Sequence, residues 1–189
     1  MSICSSNITK DSTPLKNKLI HKQKEKDLEN EENELIESIS SFLEETIQRN
    51  KDKKKYSKKT VFYSESPKIP DISIYNYIYY IYSYLNLEIS SIILSLISIK
   101  RLLERTKDKL SKNNFYKLFI TSCLLNSKQN EESSYGYEFY ASAGRIPKAE
   151  LVFLEREYFS MVDYKLFVND EVYKRYYDFI KNRVKSNRK

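Results

Sequence analysis

Few side chains in this sequence are of the types that commonly perform catalysis. The only histidine, His21, lies in a polar segment where no packing would hold it as a general base. Cys4 lies in the same polar segment and Cys123 in an apolar run, and neither has a positioned histidine to activate it. The acidic residues form no metal-binding motif, and the glycines form no phosphate-binding loop. The sequence therefore predicts no enzyme, no catalytic residue, no metal site and no cofactor.

Two charged residues stand out by their setting near apolar residues. Lys128 follows the apolar stretch 118–125, and Glu155 lies directly after Leu154 on the apolar side of a later predicted helix. A lysine and a glutamate on neighbouring core helices can form a structural salt bridge. They can also be kept half-buried to meet the backbone of a partner. Composition favours the salt bridge and leaves both interpretations open.

The distribution of charge suggests a further class of partner. The chain carries 33 basic and 26 acidic residues, a net charge of +7, and the basic residues cluster in 100–112 and 174–189. A basic end can contact nucleic acid, and the tyrosines between residues 75 and 84 offer rings for base stacking. A solvated end and a tyrosine-rich core face are the simpler explanations, so nucleic-acid binding is kept only as an alternative.

Hydrophobic periodicity predicts an all-α fold. With 2 Gly and 4 Pro in 189 residues, the chain lacks the turn residues of a β-sandwich or barrel. Residues 1–33 are polar enough to predict a disordered tail. In residues 34–70 the apolar spacing predicts an amphipathic helix that ends near Asn50, followed by a basic linker. The helices from about residue 34 to residue 184 are predicted to form one compact main domain, and residues 169–189 hold its C-terminal helix and a basic tail. With neither a signal peptide nor a membrane span in the pattern, we expect a soluble protein of the cytoplasm, the nucleus or both.

The helices of the main domain can be placed from apolar spacing and capping residues. We predict a cap at Asp71 or Ser73 for the first helix and a cap at Asn169 and Asp170 for the C-terminal helix. The helix over 88–105 is apolar nearly all round, which predicts that it is the central one. The predicted segments are 72–85, 88–105, 113–131, an irregular or helical stretch 133–144, 147–163 and 171–184.

The order of several segments resembles the cyclin box, and most closely that of the PHO-type (P/U-type) cyclins. The resemblance covers about residues 34–180 and implies a five-helix box, here 71–168, after a pre-box helix. Because no second set of helices follows residue 184, we expect a single box. The segments that carry the resemblance are 114–128, 140–146 and 150–155, supported by 61–64, 72–74, 94–102 and 166–168.

The resemblance also implies a function and a set of contact residues. A cyclin is the non-catalytic regulatory partner of a cyclin-dependent kinase, forms a heterodimer with it and needs neither a cofactor nor a membrane. In that family a lysine near the end of the third box helix and a glutamate in the fifth meet backbone groups around the mobile C helix of the kinase. Lys128 and Glu155 match these two positions. The apolar family contacts carry over to Leu125, Phe159, Tyr164 and Leu166.

The sequence departs from the family pattern at several positions, among them Asn126, Arg145 and Tyr116-Lys117, and two further departures bear on the function. Lys100 replaces a usual aspartate, and Gln129 replaces an aromatic residue that often packs on the kinase. These departures favour a second hypothesis, a helical adaptor with a cyclin-like fold that does not activate a kinase.

Overall fold

The structure has an all-α fold over the residues it describes, as the sequence predicts. The computed structural model describes residues 13–51, 60–65, 71–132 and 135–187, with side chains described from residue 22 to residue 185 within these ranges. In these ranges there are seven helices and no strand. They are α1 (Thr13–Lys51), α2 (Ile74–Tyr84), α3 (Ile89–Thr106), α4 (Lys112–Asn130), α5 (Tyr137–Gly144), α6 (Lys148–Met161) and α7 (Asp170–Asn187).

Helix α1 starts much earlier than predicted. It begins at Thr13, so the prediction of disorder is wrong for residues 13–33, while residues 1–12 lie outside the described part. The low apolar content of this segment argues against burial, and the side chains of 22–30 are indeed exposed. Helix formation needs no burial, however, and Lys, Glu, Gln and Leu are all strong helix formers. Composition was therefore a guide to exposure and not to backbone conformation.

The chain divides between Glu34 and Leu35 into two compact units. From Leu35 onwards, α1 is the predicted amphipathic helix, and it ends at Lys51, one residue beyond the expected end. Its buried face consists of Leu35, Ile36, Ile39, Leu43 and Ile47. The basic linker 52–59 and the extended entry at Pro67 and Pro70 lie outside the described residues.

Capping side chains mark the ends of the helices that follow. The amide of Asn76 donates to Ser73 Oγ at 3.1 Å, so Ser73 and not Asp71 caps α2. At α7 the amide of Val172 donates to Asn169 Oδ1 at 2.9 Å, so the predicted cap at Asn169 is present, while Asp170 is the first residue of the helix and not a second cap. Ser111 and Asn114 form a reciprocal capping box at α4. These caps place the observed helices within a few residues of the predicted ones.

The centre of the domain is shared by α3 and α4, whereas the sequence predicted α3 alone. Both helices are buried over most of their length, and α4 also packs against α5 and α6. Small polar residues let the two backbones approach, because Ser122 Oγ donates to the Ser95 carbonyl at 3.0 Å and Asn126 Nδ2 donates to Ser98 Oγ at 3.2 Å. Hydrogen bonding makes these buried polar groups compatible with the core. Helix α4 is therefore the rigid element on which the residues around Lys128 depend.

The tyrosines of α2 are divided between the core and the surface. Tyr77 is buried, and Tyr75 and Tyr82 pack against the core. Tyr79, Tyr80 and Tyr84 are exposed, which leaves only part of the segment in the predicted core-packing role. No helix in the described ranges is both long enough and apolar enough to cross a membrane.

Candidate interaction site on α4, α5 and α6

The structure brings Lys128 and Glu155 together as an ion pair. Lys128 lies in the last turn of α4 and Glu155 in the middle of α6, and Lys128 Nζ donates to Glu155 Oε1 at 3.0 Å. The Glu155 side chain is 12% exposed and that of Lys128 is 32% exposed. Both predicted residues therefore lie at one half-buried place where the two helices meet. The pairing satisfies the structural interpretation and leaves the partner interpretation open.

A third residue, Tyr137, completes this cluster. Its hydroxyl donates to Glu155 Oε2, and Lys128 Nζ lies 3.7 Å from the centroid of its ring. The ammonium group thus contacts both a carboxylate and the face of an aromatic ring, which is a favourable cation–π geometry. Burial lowers the pKa of Lys128, but the contacts with Tyr137 and Glu155 outweigh burial and raise the pKa above its ordinary value. Lys128 is therefore held in its charged form.

Phe159 and Tyr164 form an aromatic step at the end of α6. Their rings stack with centroids 6.0 Å apart and an interplanar angle of 18°. The amide of Tyr164 donates to the Phe159 carbonyl at 2.9 Å, and Asp163 and Tyr164 adopt left-handed backbone angles, with φ of 57° and 58°. Such angles in non-glycine residues cost energy and persist where the surrounding structure enforces them. The turn leaves Tyr164 as one of the most exposed aromatic side chains, at 74%.

Leu125 and Leu166 occupy a different position from the other predicted site residues. Both are buried in the core, on α4 and after α6 respectively. As placed here, they support the surface from below and do not line it. Leu125 precedes Lys128 by one helical turn, so its packing fixes the end of α4 that carries the lysine.

A second ion pair joins the same two helices. Lys117 Nζ on α4 lies 2.7 Å from Glu150 Oε1 on α6. Nothing in the spacing within either helix indicates this pair, because it depends on how α4 and α6 pack together. It provides a reference within the same molecule for what an interhelical salt bridge does here.

The two departures that favour the adaptor hypothesis, Lys100 and Gln129, lie on the surface. Lys100 pairs with Glu104 across one helical turn, with its Nζ 5.5 Å from the centroid of the Tyr176 ring. Gln129, next to Lys128 on α4, is exposed. Neither residue replaces a core contact, so neither departure disturbs the fold.

The described residues offer little to catalysis or to metal binding. Burial raises the pKa of the Cys123 thiol to about 12, so it is not an activated nucleophile. Within the described ranges, no group of three or more His, Cys, Asp or Glu side chains could hold a metal ion. The side chain of His21 and all of Cys4 lie outside the described part.

Part of the basic charge on α7 is used inside the molecule. Arg183 Nη2 lies 2.6 Å from Glu45 Oε1 on α1, and its guanidinium lies over the ring of Phe42 at 5.6 Å. This arginine docks the C-terminal helix and is not a free phosphate contact. The alternative of nucleic-acid binding gains no support from this part of α7.

Sequence reasoning missed Tyr137. Tyr137 belongs to the stretch 133–144, whose pattern predicts only an irregular or helical segment. Such a pattern does not show which residues face the neighbouring helices. The signal in the sequence is weak: Tyr137 directly follows Gly136, the N-cap of α5, and so occupies the first position of a short helix. Only the packing of α5 against α4 and α6 shows that this first position faces Glu155.

Comparisons with known proteins agree with the sequence resemblance. The family model described as Cyclin matches residues 10–166. Cyclin-U2-1 of Arabidopsis thaliana is 28% identical over 147 residues, which cover 75% of this chain and 65% of that protein. Cyclin-U3-1 of Arabidopsis thaliana is 30% identical over 143 residues, covering 74% and 64%. Cyclin-P3-1 of Oryza sativa subsp. japonica is 27% identical over 142 residues, covering 73% and 59%. The chain thus spans less than two thirds of the length of these relatives.

Proposed function

The chain belongs to the cyclin family, as a PHO-type member with one cyclin box in this sequence, and from this premise we propose that it binds a cyclin-dependent protein kinase and stabilises the active position of the kinase C helix. The observation that carries the proposal is the half-buried cluster of Lys128 and Glu155 where α4 meets α6. A regulatory subunit of this kind has no catalytic role of its own.

The cluster has hydrogen-bonding capacity left for a partner. An ammonium group has three N–H donors and an ionised carboxylate has about four acceptor sites. The contacts to each other and to Tyr137 use only part of this capacity. A backbone carbonyl of the kinase can therefore accept from Lys128 while a backbone amide donates to Glu155.

Aromatic surface lies close to the cluster, at the end of α6 and directly after it. Phe159 follows Glu155 by one turn of α6, and Tyr164 stacks on Phe159. An aromatic anchor beside desolvated charges is a common composition of a binding hot spot. A specific interface buries about 1,600 Å² in total, so this cluster would be its centre and not its whole extent.

The effect on the kinase would be a shift of population. An active protein kinase needs its β3 lysine and C-helix glutamate in contact. A partner that binds only the conformation with this contact formed shifts the kinase towards that conformation. The same binding without activation would define the alternative, a helical adaptor, and a kinase assay on the purified complex separates the two.

The proposal is tested by recovery of the partner from a lysate of the source cells. Tagged wild-type protein should retain a cyclin-dependent kinase, identified by mass spectrometry. The double variant Lys128→Ala/Glu155→Ala should lose it while keeping wild-type helicity by circular dichroism. The matched control Lys117→Ala/Glu150→Ala removes an ion pair between the same helices and should keep the kinase. If no protein kinase is recovered with the wild type, the proposed function is wrong. If both double variants retain the kinase equally, the proposed site is wrong.

A further inference from the structure

We propose that Tyr137 is a positioning residue of this site, whose hydroxyl and ring hold Glu155 and Lys128 in the arrangement that meets the backbone of the kinase. The inference rests on the proposed function and adds to it a residue that neither the family resemblance nor the comparisons single out. It also makes α5 a functional part of a surface otherwise formed by α4 and α6.

Tyr137 is itself well fixed. It is the first residue of α5, and its partly buried ring packs against the hydrophobic core. A tyrosine side chain has only two main torsions, so a packed ring fixes the position of the hydroxyl as well. Long flexible side chains such as those of Lys128 and Glu155 have no comparable restraint of their own.

The contacts close a three-membered cluster. Tyr137 donates to Oε2 of Glu155, Lys128 donates to Oε1 of the same carboxylate at 3.0 Å, and Lys128 Nζ lies over the Tyr137 ring. Each member therefore contacts the other two. Fixing one oxygen by a neutral donor and the other by a cation sets the plane of the carboxylate, and so the direction of its remaining lone pairs.

This arrangement favours binding because the ordering is done before the partner arrives. Immobilising side chains at an interface costs free energy, and a preorganised site avoids most of that cost. Without the Tyr137 hydroxyl, the mostly buried Glu155 carboxylate would keep a single charged donor and could rotate towards water. Since the cluster leaves donors on Lys128 and acceptor sites on Glu155 unused, the kinase backbone need not displace Tyr137.

The test uses Tyr137→Phe, which keeps the ring and removes only the hydroxyl. Its affinity for the kinase recovered with the wild type, measured with both proteins purified, should fall about tenfold, as expected for a hydrogen bond to a charged group. Tyr135→Phe is the matched control, because it removes the same group two residues away and the Tyr135 ring packs at a tilted angle against Phe139 instead. That control should bind within about twofold of the wild type.

A double-mutant cycle distinguishes positioning from a general effect on folding. In the Glu155→Ala background, Tyr137→Phe should cause no further loss of affinity, because there is no carboxylate left to position. Additive losses, unchanged affinity of Tyr137→Phe, or tighter binding would each overturn the role of Tyr137 while Lys128 and Glu155 remain required. If the Lys128→Ala/Glu155→Ala variant binds as well as the wild type, the proposed function fails, and the role of Tyr137 fails with it.

Discussion

Two ion pairs in the described part of the chain join α4 to α6, and their surroundings differ. At Lys117 and Glu150 the lysine is the more buried partner, with 18% exposure against 33%. At Lys128 and Glu155 the glutamate is the more buried partner, and Tyr137 joins the pair. The same two residue types between the same two helices can thus serve two purposes. The first pair ties the helices together, whereas the second also keeps charge and hydrogen-bonding capacity at the surface.

Exchanging the charges of Lys128 and Glu155 gives the largest expected effect. Lys128→Glu/Glu155→Lys can still form an ion pair, but it presents a carboxylate to the backbone carbonyl of the kinase and an ammonium to the amide. Mismatched or unpaired charges at a desolvated contact cost roughly 2–5 kcal/mol, so kinase affinity should fall at least about 30-fold in a binding titration.

The same exchange at the other pair is the control. Lys117→Glu/Glu150→Lys should bind the kinase within about twofold of the wild type, because no partner contact is assigned to it. Both exchanged proteins should remain helical by circular dichroism. Equal loss of affinity in the two exchanges would mean that the comparison fails and that both pairs are structural.

Most of the fold was predictable because local signals agree with tertiary packing in this chain. Apolar spacing and the capping residues Ser73 and Asn169 set α2 and α7 within a few residues. The start of α1 was not predictable from composition, because composition indicates whether a segment is buried and not which backbone conformation it adopts. The shared centre of α3 and α4 was missed since serines and an asparagine lower the apolar pattern of α4, although their buried hydrogen bonds let the two helices pack.

The candidate site was predictable only in part. Lys128 and Glu155 are visible in the sequence because Lys128 follows the apolar stretch 118–125 and Glu155 follows Leu154 on an apolar helix side, and the structure does bring them together. Their contact with Tyr137 depends on how three helices meet, which no spacing within one helix encodes. The resemblance implies that Leu125 and Leu166 are apolar contacts of the kinase, but both are buried in the core, and the resemblance does not show that burial.

Single substitutions should affect stability in opposite order at the two pairs. Removing one partner leaves the other charge uncompensated, and the cost grows with the burial of the charge that remains. Lys128→Met leaves Glu155 and should therefore cost more than Glu155→Gln. Glu150→Gln leaves Lys117 and should cost more than Lys117→Met. We expect differences of about 1 kcal/mol in the free energy of unfolding, measured by urea denaturation. The same order at both pairs would show that the difference in burial has no energetic consequence.

The smallest expected effect is a dependence of stability on alkaline pH that belongs to the second pair. The raised pKa of Lys128 means that the folded state keeps this proton more tightly than the unfolded chain. The resulting stability is complete below the ordinary lysine pKa of about 10.4 and is lost as pH rises through the folded-state pKa. Between about pH 9 and pH 11 the wild type should therefore lose more unfolding free energy than Lys128→Met. Buried tyrosines also destabilise the fold at high pH, but they contribute equally to both proteins, so only the difference reports on Lys128.

In a Glu155→Gln background this difference should shrink, because the carboxylate is one of the groups that raise the lysine pKa. An undiminished difference there would assign the shift to the contact with Tyr137 alone.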